Sequence, residues 1–183
     1  VPFKLRTATS ADIPAIIRLQ EQIWEPTYRP ILSSEQIEYM FTTIYAPEAL
    51  LEQMTTLGHT FVLLETEGDQ QTTELKGFAA FAPYGPDNKI FKLHKIYVLP
   101  TQQGSGLGKT LMTEVETRCQ SLGGEELLLN VNRYNKARTF YEKQGFRVLY
   151  EEDIAIGPYW MNDYVMSKPL GIQSASNPVS YDV

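Results

Sequence analysis

Apolar positions change their period several times along the chain, and each change marks an element. Phe3-Lys4-Leu5-Arg6 alternates, as a half-buried strand does. Thr9-Ser10-Ala11-Asp12 then offers N-cap chemistry, and Pro14 is tolerated in a first helical turn. Ile13, Ile16, Ile17, Gln20 and Ile23 follow at helical spacing. A second helix is predicted from about Ser34 to Tyr45, with Ile37, Met40, Phe41 and Ile44 on one stripe, and a short third from Glu48 to Leu57. The period then switches. Thr60 to Leu64 reads as a buried strand, Glu67-Gly68-Asp69-Gln70 as a turn, and Leu75 to Phe81 as the partner strand. A further strand runs from Ile90 to Leu99 and stops at Pro100. Leu107, Leu111, Met112, Val115, Cys119 and Leu122 return to helical spacing, ended by Gly123-Gly124. Leu127 to Val131 is a strand, Asn135 to Gln144 a helix closed by Gly145, and Phe146 to Tyr150 and Tyr159 to Ser167 are two last strands. The order predicts a single α/β domain with a mixed sheet over residues 1–170. The polar, unpatterned tail 171–183 is expected to be loose.

Composition narrows the class. The chain has 183 residues, 43% hydrophobic and 21% charged, as expected of one globular domain. It carries no run of about 18 apolar residues, so no transmembrane helix is expected. The segment from Val1 to Arg6 lacks the apolar stretch of a signal peptide, and the missing initiator Met points to trimming. Cys119 is the one cysteine, which excludes an intrachain disulfide and a cysteine-based zinc cluster. No metal site, no membrane partner and a cytoplasmic location are expected. Net charge is −6, from 22 acidic and 16 basic residues, a field that repels nucleic acid. Yet Lys109, Arg118, Arg133, Lys136, Arg138 and Lys143 crowd the middle-to-late chain, where an anionic ligand suits them.

Gln103-Gly104-Ser105-Gly106-Leu107-Gly108-Lys109-Thr110 lies between a strand and an amphipathic helix. A helix N-terminus has free N–H groups and partial positive charge, and glycines let the backbone approach an anion. A tight turn without ligand would carry similar glycines. A nucleoside-triphosphate P-loop would need glycine at 103, where Gln stands, and an apolar strand ending in Asp for magnesium. A dinucleotide fingerprint fails at Lys109. The pattern Q-x-x-G-x-G fits at Gln103, Gly106 and Gly108.

The stretch from Leu93-His94-Lys95-Ile96-Tyr97-Val98-Leu99-Pro100 into that loop resembles the central motif of the GNAT superfamily of N-acetyltransferases. Asn135 to Phe146 is similar to that family's second motif. The resemblance covers roughly Phe3 to Leu170. It implies a mostly antiparallel sheet of about seven strands flanked by helices, and acetyl-coenzyme A as cofactor. The loop residues Gln103, Gly104, Ser105, Gly106, Leu107, Gly108 and Lys109 would hold the pyrophosphate. The backbone of Ile96, Tyr97 and Val98, on a strand that splays from its neighbour, would meet the pantetheine arm, with Val98 N–H donating to the acyl oxygen. Asn135 would also touch the cofactor, although it stands six residues before Tyr141 where many members have seven.

The resemblance also implies catalytic roles. Tyr141 would protonate the departing thiolate, since a phenol near pKa 10 stays protonated at neutral pH. Strand alternation puts Lys92, His94, Ile96 and Val98 on one face, which makes His94 a candidate base. A water chain ending at Glu151, Glu152 or Asp153 would serve as well. The acceptor amine would lie between the early helices and the loop joining the last two strands. Those segments hold Trp24, Tyr28, Tyr39, Glu151 and Tyr159 among other acidic and aromatic residues, which suit a cation. A polyamine, an amino sugar, a protein N-terminus or a lysine all fit, and a homodimer is allowed. Direct transfer in a ternary complex is expected. A non-catalytic acetyl-coenzyme A sensor is the alternative.

Overall fold

The computed structural model describes residues 2–171, so the tail expected to be loose lies, beyond Gly171, outside the described residues. The elements run β1 (Phe3–Thr7), α1 (Ile13–Tyr28), α2 (Ser34–Ile44), α3 (Pro47–Thr55), β2 (Thr60–Glu67), β3 (Thr73–Pro83) and β4 (Ile90–Val98). They continue with α4 (Leu107–Ser121), β5 (Glu126–Asn132), α5 (Ala137–Lys143), β6 (Arg147–Ile156) and β7 (Tyr159–Pro169). All seven strands join one sheet in the order β1-β2-β3-β4-β5-β7-β6. Among the described residues, only the β4–β5 pair is parallel. Among the described residues, no helix is long and apolar enough to cross a membrane.

Two cores cover the two faces of the sheet. On one, Leu111, Met112, Val115 and Cys119 of α4 pack without exposure against Val62, Phe91, Leu127 and Met166, with α5 alongside through Phe140 and Tyr141. Each such buried aliphatic contributes roughly 1.5–3 kcal/mol. On the other face, α1, α2 and α3 bury Ile16, Ile23, Trp24, Met40 and Leu50 against Phe61, Phe78 and Ala80. Ser33 starts α2 by accepting the Gln36 N–H at 3.2 Å, and Pro47 opens α3, where a missing N–H costs nothing.

One element differs from expectation. β6 runs to Ile156, so Glu151, Glu152 and Asp153 lie in a strand, and only Gly157-Pro158 join β6 to β7. β6 is an edge strand exposed along most of its length. Its exposed Glu151-Glu152-Asp153 stretch breaks the pattern before Ile154 and Ile156 resume the alternation against the helical core.

Candidate active site

The site is built where the sheet opens. β4 and β5 are paired only from Ile90 and Glu126 to Leu93 and Leu129. At the same point β4 slips against β3: Phe81 faces Leu93 and Ala80 faces Lys95, which leaves His94 as the extra residue of a bulge. A bulge bends its strand and adds twist, and β4 beyond it parts from β5. Leu99 N–H donates to Lys76 O at 2.9 Å, so the end of β4 is tied to β3. Amide directions alternate along a strand. The N–H groups of Ile96 and Val98 therefore face the opening, while the amide of Tyr97 faces β3. This corrects the expectation that all three amides would line the opening.

The bulge also breaks the shared face expected for Lys92, His94, Ile96 and Val98. Ile96 and Val98 pack with the α4 core, whereas Tyr97 packs with the α1–α3 core. Lys95 is turned inward to the same helical layer, where Nζ donates to Gln53 Oε1 at 2.7 Å. His94 stacks flat on His59, with ring centroids 4.1 Å apart. Partial cover by the stacked His59 ring, then repulsion from His59, Lys92 and Lys95, lowers the His94 pKa, although the residue itself stays exposed on the bulge. A histidine so tuned is a weak proton acceptor at neutral pH.

At the end of the opening, Pro100–Gln102 forms one 3-10 turn and the chain enters α4. Gly104 and Gly106 have φ of +81° and +87°, a left-handed region that other residues occupy only at a cost. Gly106 is the N-cap and offers no side chain, so the first-turn N–H groups of Leu107, Gly108 and Lys109 have no carbonyl partner within the helix. Gln103, Gly104 and Ser105 are exposed beside them, and the Ser105 hydroxyl is turned back onto Gln102 O. A Cβ at Gly108 would stand 3.5 Å from the Phe140 ring and 4.0 Å from Val98. The helix start, the strand end and α5 thus meet.

Tyr141 comes to this junction from α5, edge-on to Phe140 and Phe146 at 5.5 and 6.1 Å. Burial, with Tyr28 nearby, raises its pKa well above that of a free phenol. Asn135 Oδ1 accepts the Ala137 N–H at 2.9 Å and so caps α5. Across the opening, Tyr28 and Tyr97 share a hydrogen bond of 3.0 Å between their hydroxyls. Burial raises the Tyr28 pKa too, and the charge of Asp163 adds to the effect. Tyr28, Tyr97, Tyr141 and Asp163 are within electrostatic reach of one another.

The residues expected around the acceptor divide. Trp24 is 4% exposed and gives its N–H to Ile37 O at 3.0 Å, so it is part of the core between α1 and α2. Tyr39 and Tyr159 pair at 5.4 Å. The Tyr39 hydroxyl fills the space where a Cβ of Gly157 would stand, only 2.1 Å from it, and so joins α2 to the β6–β7 hairpin. Glu151 lies opposite Tyr164, on the α5 face, and accepts from Arg133 at 2.5 Å. Its charge is met and it points away from the helical layer that holds Tyr28, a correction to its expected place. The alternation of β6 gives that place to Glu152.

Asp163 is the residue whose weight was not evident from sequence. It pairs with Asn132 on β5 and Glu152 on β6, and it is 5% exposed. Its Oδ2 accepts from Asn130 Nδ2 at 3.4 Å, and among the described residues its Oδ1 has no hydrogen-bond partner. Burial raises its pKa to about 6, with Glu152 adding to the shift and Asn130, Lys92 and Arg133 opposing it. The available signal was the acid at the middle of Met161, Asp163 and Val165, the inward series of β7.

Comparisons with known proteins agree with this fold. Residues 28–162 match the acetyltransferase (GNAT) domain. The chain is 30% identical over 147 residues to the spermidine N(1)-acetyltransferase of Thermoplasma acidophilum, covering 80% of this chain and 89% of that relative. It is 34% identical over 85 residues to an uncharacterized N-acetyltransferase of Mycobacterium tuberculosis, 46% of this chain and 54% of the other. The chain thus spans about half the length of that relative. Among solved structures, the PaiA N-acetyltransferase of T. acidophilum in complex with coenzyme A superposes with a TM-score of 0.74 at 26% identity. That match covers 92% of this chain and 99% of the other.

Proposed function

Because the chain belongs to the GNAT family of acetyltransferases, we propose that it moves an acetyl group from acetyl-coenzyme A to a primary amine by direct attack in a ternary complex. The observation that carries the reading is the junction of the open β4–β5 seam with the glycine turn that starts α4. Seam and turn fit a long ligand with an anionic end. The amides of Leu107, Gly108 and Lys109, with the backbone of Gln103, Gly104, Ser105 and Gly106, would hold the pyrophosphate. Ile96 and Val98 would hydrogen-bond the arm along the seam, and the uncapped amide side of Asn135 is free to add a contact.

Acetyl-coenzyme A supplies the activated acyl carbon. Val98 N–H would donate to the acyl oxygen, where negative charge grows during transfer. The raised pKa of Tyr141 keeps its hydroxyl protonated throughout the physiological range, and it gives that proton to the departing sulfur. The chain offers no thiol nucleophile of its own at the site. Cys119 is fully buried in the α4 core, and burial pushes its pKa up to about 12. A small cationic amine of the polyamine kind is the favoured acceptor. The acidic and aromatic residues around the helical side of the opening support it, as does the spermidine N(1)-acetyltransferase relative.

A thiol-release assay with acetyl-coenzyme A across polyamines, amino sugars, amino acids and peptides tests the reading. Turnover is expected with at least one polyamine. Binding of coenzyme A without thiol release from any amine would favour a sensor instead. Tyr141→Phe should lower kcat by roughly 10- to 1,000-fold, at or below the usual range for a general acid. An unchanged kcat would remove Tyr141 from the mechanism.

A further inference from the structure

Acetyl transfer to an ammonium-bearing acceptor needs a group that takes its proton, and the reading above leaves that group unnamed. Resting on that reading, we propose that Oδ1 of Asp163 accepts the proton of the acceptor ammonium, so that Asp163, and not His94, is the base.

Three observations carry this. Asp163 is 5% exposed and its Oδ1 lacks a hydrogen-bond partner among the described residues, an arrangement that costs stability unless a donor arrives. An incoming ammonium supplies that donor. Second, the position is right. Asp163 pairs with Asn132, three residues beyond the last β4–β5 pair at Leu129, on the face that carries Tyr28 and Tyr97. Tyr141, on α5, is within electrostatic reach of Tyr28 and Tyr97. Third, the neighbours leave the carboxyl able to take up and release a proton. Asn130 on β5 makes its shorter bond, 3.0 Å, to Glu152 and only a 3.4 Å contact to Asp163. Glu152 on β6 repels a charge on Asp163. Lys92 on β4 and Arg133 after β5 favour it, but Arg133 is already engaged by Glu151 and Asp153. Tyr28 faces it from α1.

His94 lacks this setting: it is an exposed bulge residue whose ring is stacked on His59, and Lys92 and Lys95 repel a charge on it. The proton count closes with Asp163 in the role. The acceptor nitrogen gains a bond to the acyl carbon, the carbon–sulfur bond breaks, and the nitrogen loses two protons. The first goes to Asp163 Oδ1, which returns it to water once the product has left. The second leaves the nitrogen as the carbon–sulfur bond breaks and replaces the proton that Tyr141 gives to sulfur.

The test compares wild type and Asp163→Asn for thiol release between pH 5 and 9, with spermidine, glucosamine and an alanine-terminated peptide as acceptors. Coenzyme A affinity is measured by calorimetry alongside. Wild type should lose kcat/KM below about pH 6 through one protonation. Asp163→Asn should lower kcat by roughly 100-fold or more, lose that acid limb, and bind coenzyme A within about twofold of wild type. Asp163→Glu, which keeps a displaced carboxylate, should retain the limb at reduced kcat. Asp163→Ser serves the same comparison should the Asn protein prove unstable. A raised KM with kcat and acid limb unchanged would make Asp163 an anchor only and overturn the proposal, as would full activity in Asp163→Asn. Wild type that binds coenzyme A but acetylates none of the probes would instead remove the transfer reading, and this inference with it.

Discussion

Burying the Asp163 carboxylate has a cost to the fold that can be measured without any substrate. Its pKa is about 6 in the folded protein against an ordinary 3.8. The folded state thus binds this proton more tightly than the unfolded chain does. Stability linked to it is fully present below pH 4 and is lost as pH rises through 6. The shift of about two units corresponds to roughly 3 kcal/mol. The residue is nearly out of solvent, so little screening reduces that figure. Asp163→Asn keeps the shape and the acceptor oxygen for Asn130, and it removes the ionisation. The variant should therefore be more stable than wild type at pH 8 by up to about 3 kcal/mol. For a chain of this size that is roughly 6–12 °C in Tm. The difference should shrink through pH 6 and vanish near pH 4. Urea titrations followed by tryptophan fluorescence at pH 4, 6 and 8 measure it. A variant less stable at pH 8, or a difference independent of pH, would mean that the native carboxylate is well satisfied and that the electrostatic argument fails. A stabilising substitution that lowers activity is the pattern expected where function holds a group in an unfavourable place.

Three further outcomes follow from the same geometry. Gly106→Ala places a Cβ at φ +87° with open space around it, so strain of about 1–2 kcal/mol should distort the helix start and weaken coenzyme A binding in calorimetry. Unaltered affinity would detach the turn from the ligand. Lys95, whose burial lowers its pKa to about 8, disfavours the folded state below that pH, and the penalty fades between pH 8 and 10.5. Lys95→Met should therefore raise Tm at pH 7 more than at pH 10, with the gain reduced by the stranded Gln53 oxygen; equal shifts would refute the linkage. Gly157→Ala drives a Cβ into the Tyr39 hydroxyl and should raise the acceptor KM several-fold, with coenzyme A affinity unchanged. An unchanged KM would separate the hairpin from the acceptor site.

The features that depend on neighbours in sequence were legible before the structure. The glycine turn needs only a strand end, a helix start and residues that tolerate positive φ, and all lie within Pro100 to Thr110. Seven strands and the apolar stripes of α1, α2 and α4 follow from their periods for the same reason. What escaped depends on partners far along the chain. The bulge at His94 exists through the register between β3 and β4, and it sends Lys95 inward against the simple alternation. The far half of β6 opens on three acidic residues at an exposed edge, which hides the alternation of Ile154 and Ile156 beyond them. Glu151 looked available until Arg133, eighteen positions earlier, was found beside it. The importance of Asp163 required both its burial and the missing partner of one oxygen.

The short β4–β5 pairing has a consequence for how the domain assembles and breathes. Everything from β1 to β4 is built from residues before Leu99, and everything from β5 to β7 from residues after Gly124. Four residue pairs are the ladder between these two halves. The seam is therefore a natural boundary between cooperative units. Amide hydrogen exchange should find Ile96 and Val98 among the least protected amides of the inner strands. A ligand lying along the seam would supply the ladder that β5 does not. Its affinity would then be felt as slowed exchange across both halves at once, as if the molecule had gained a strand.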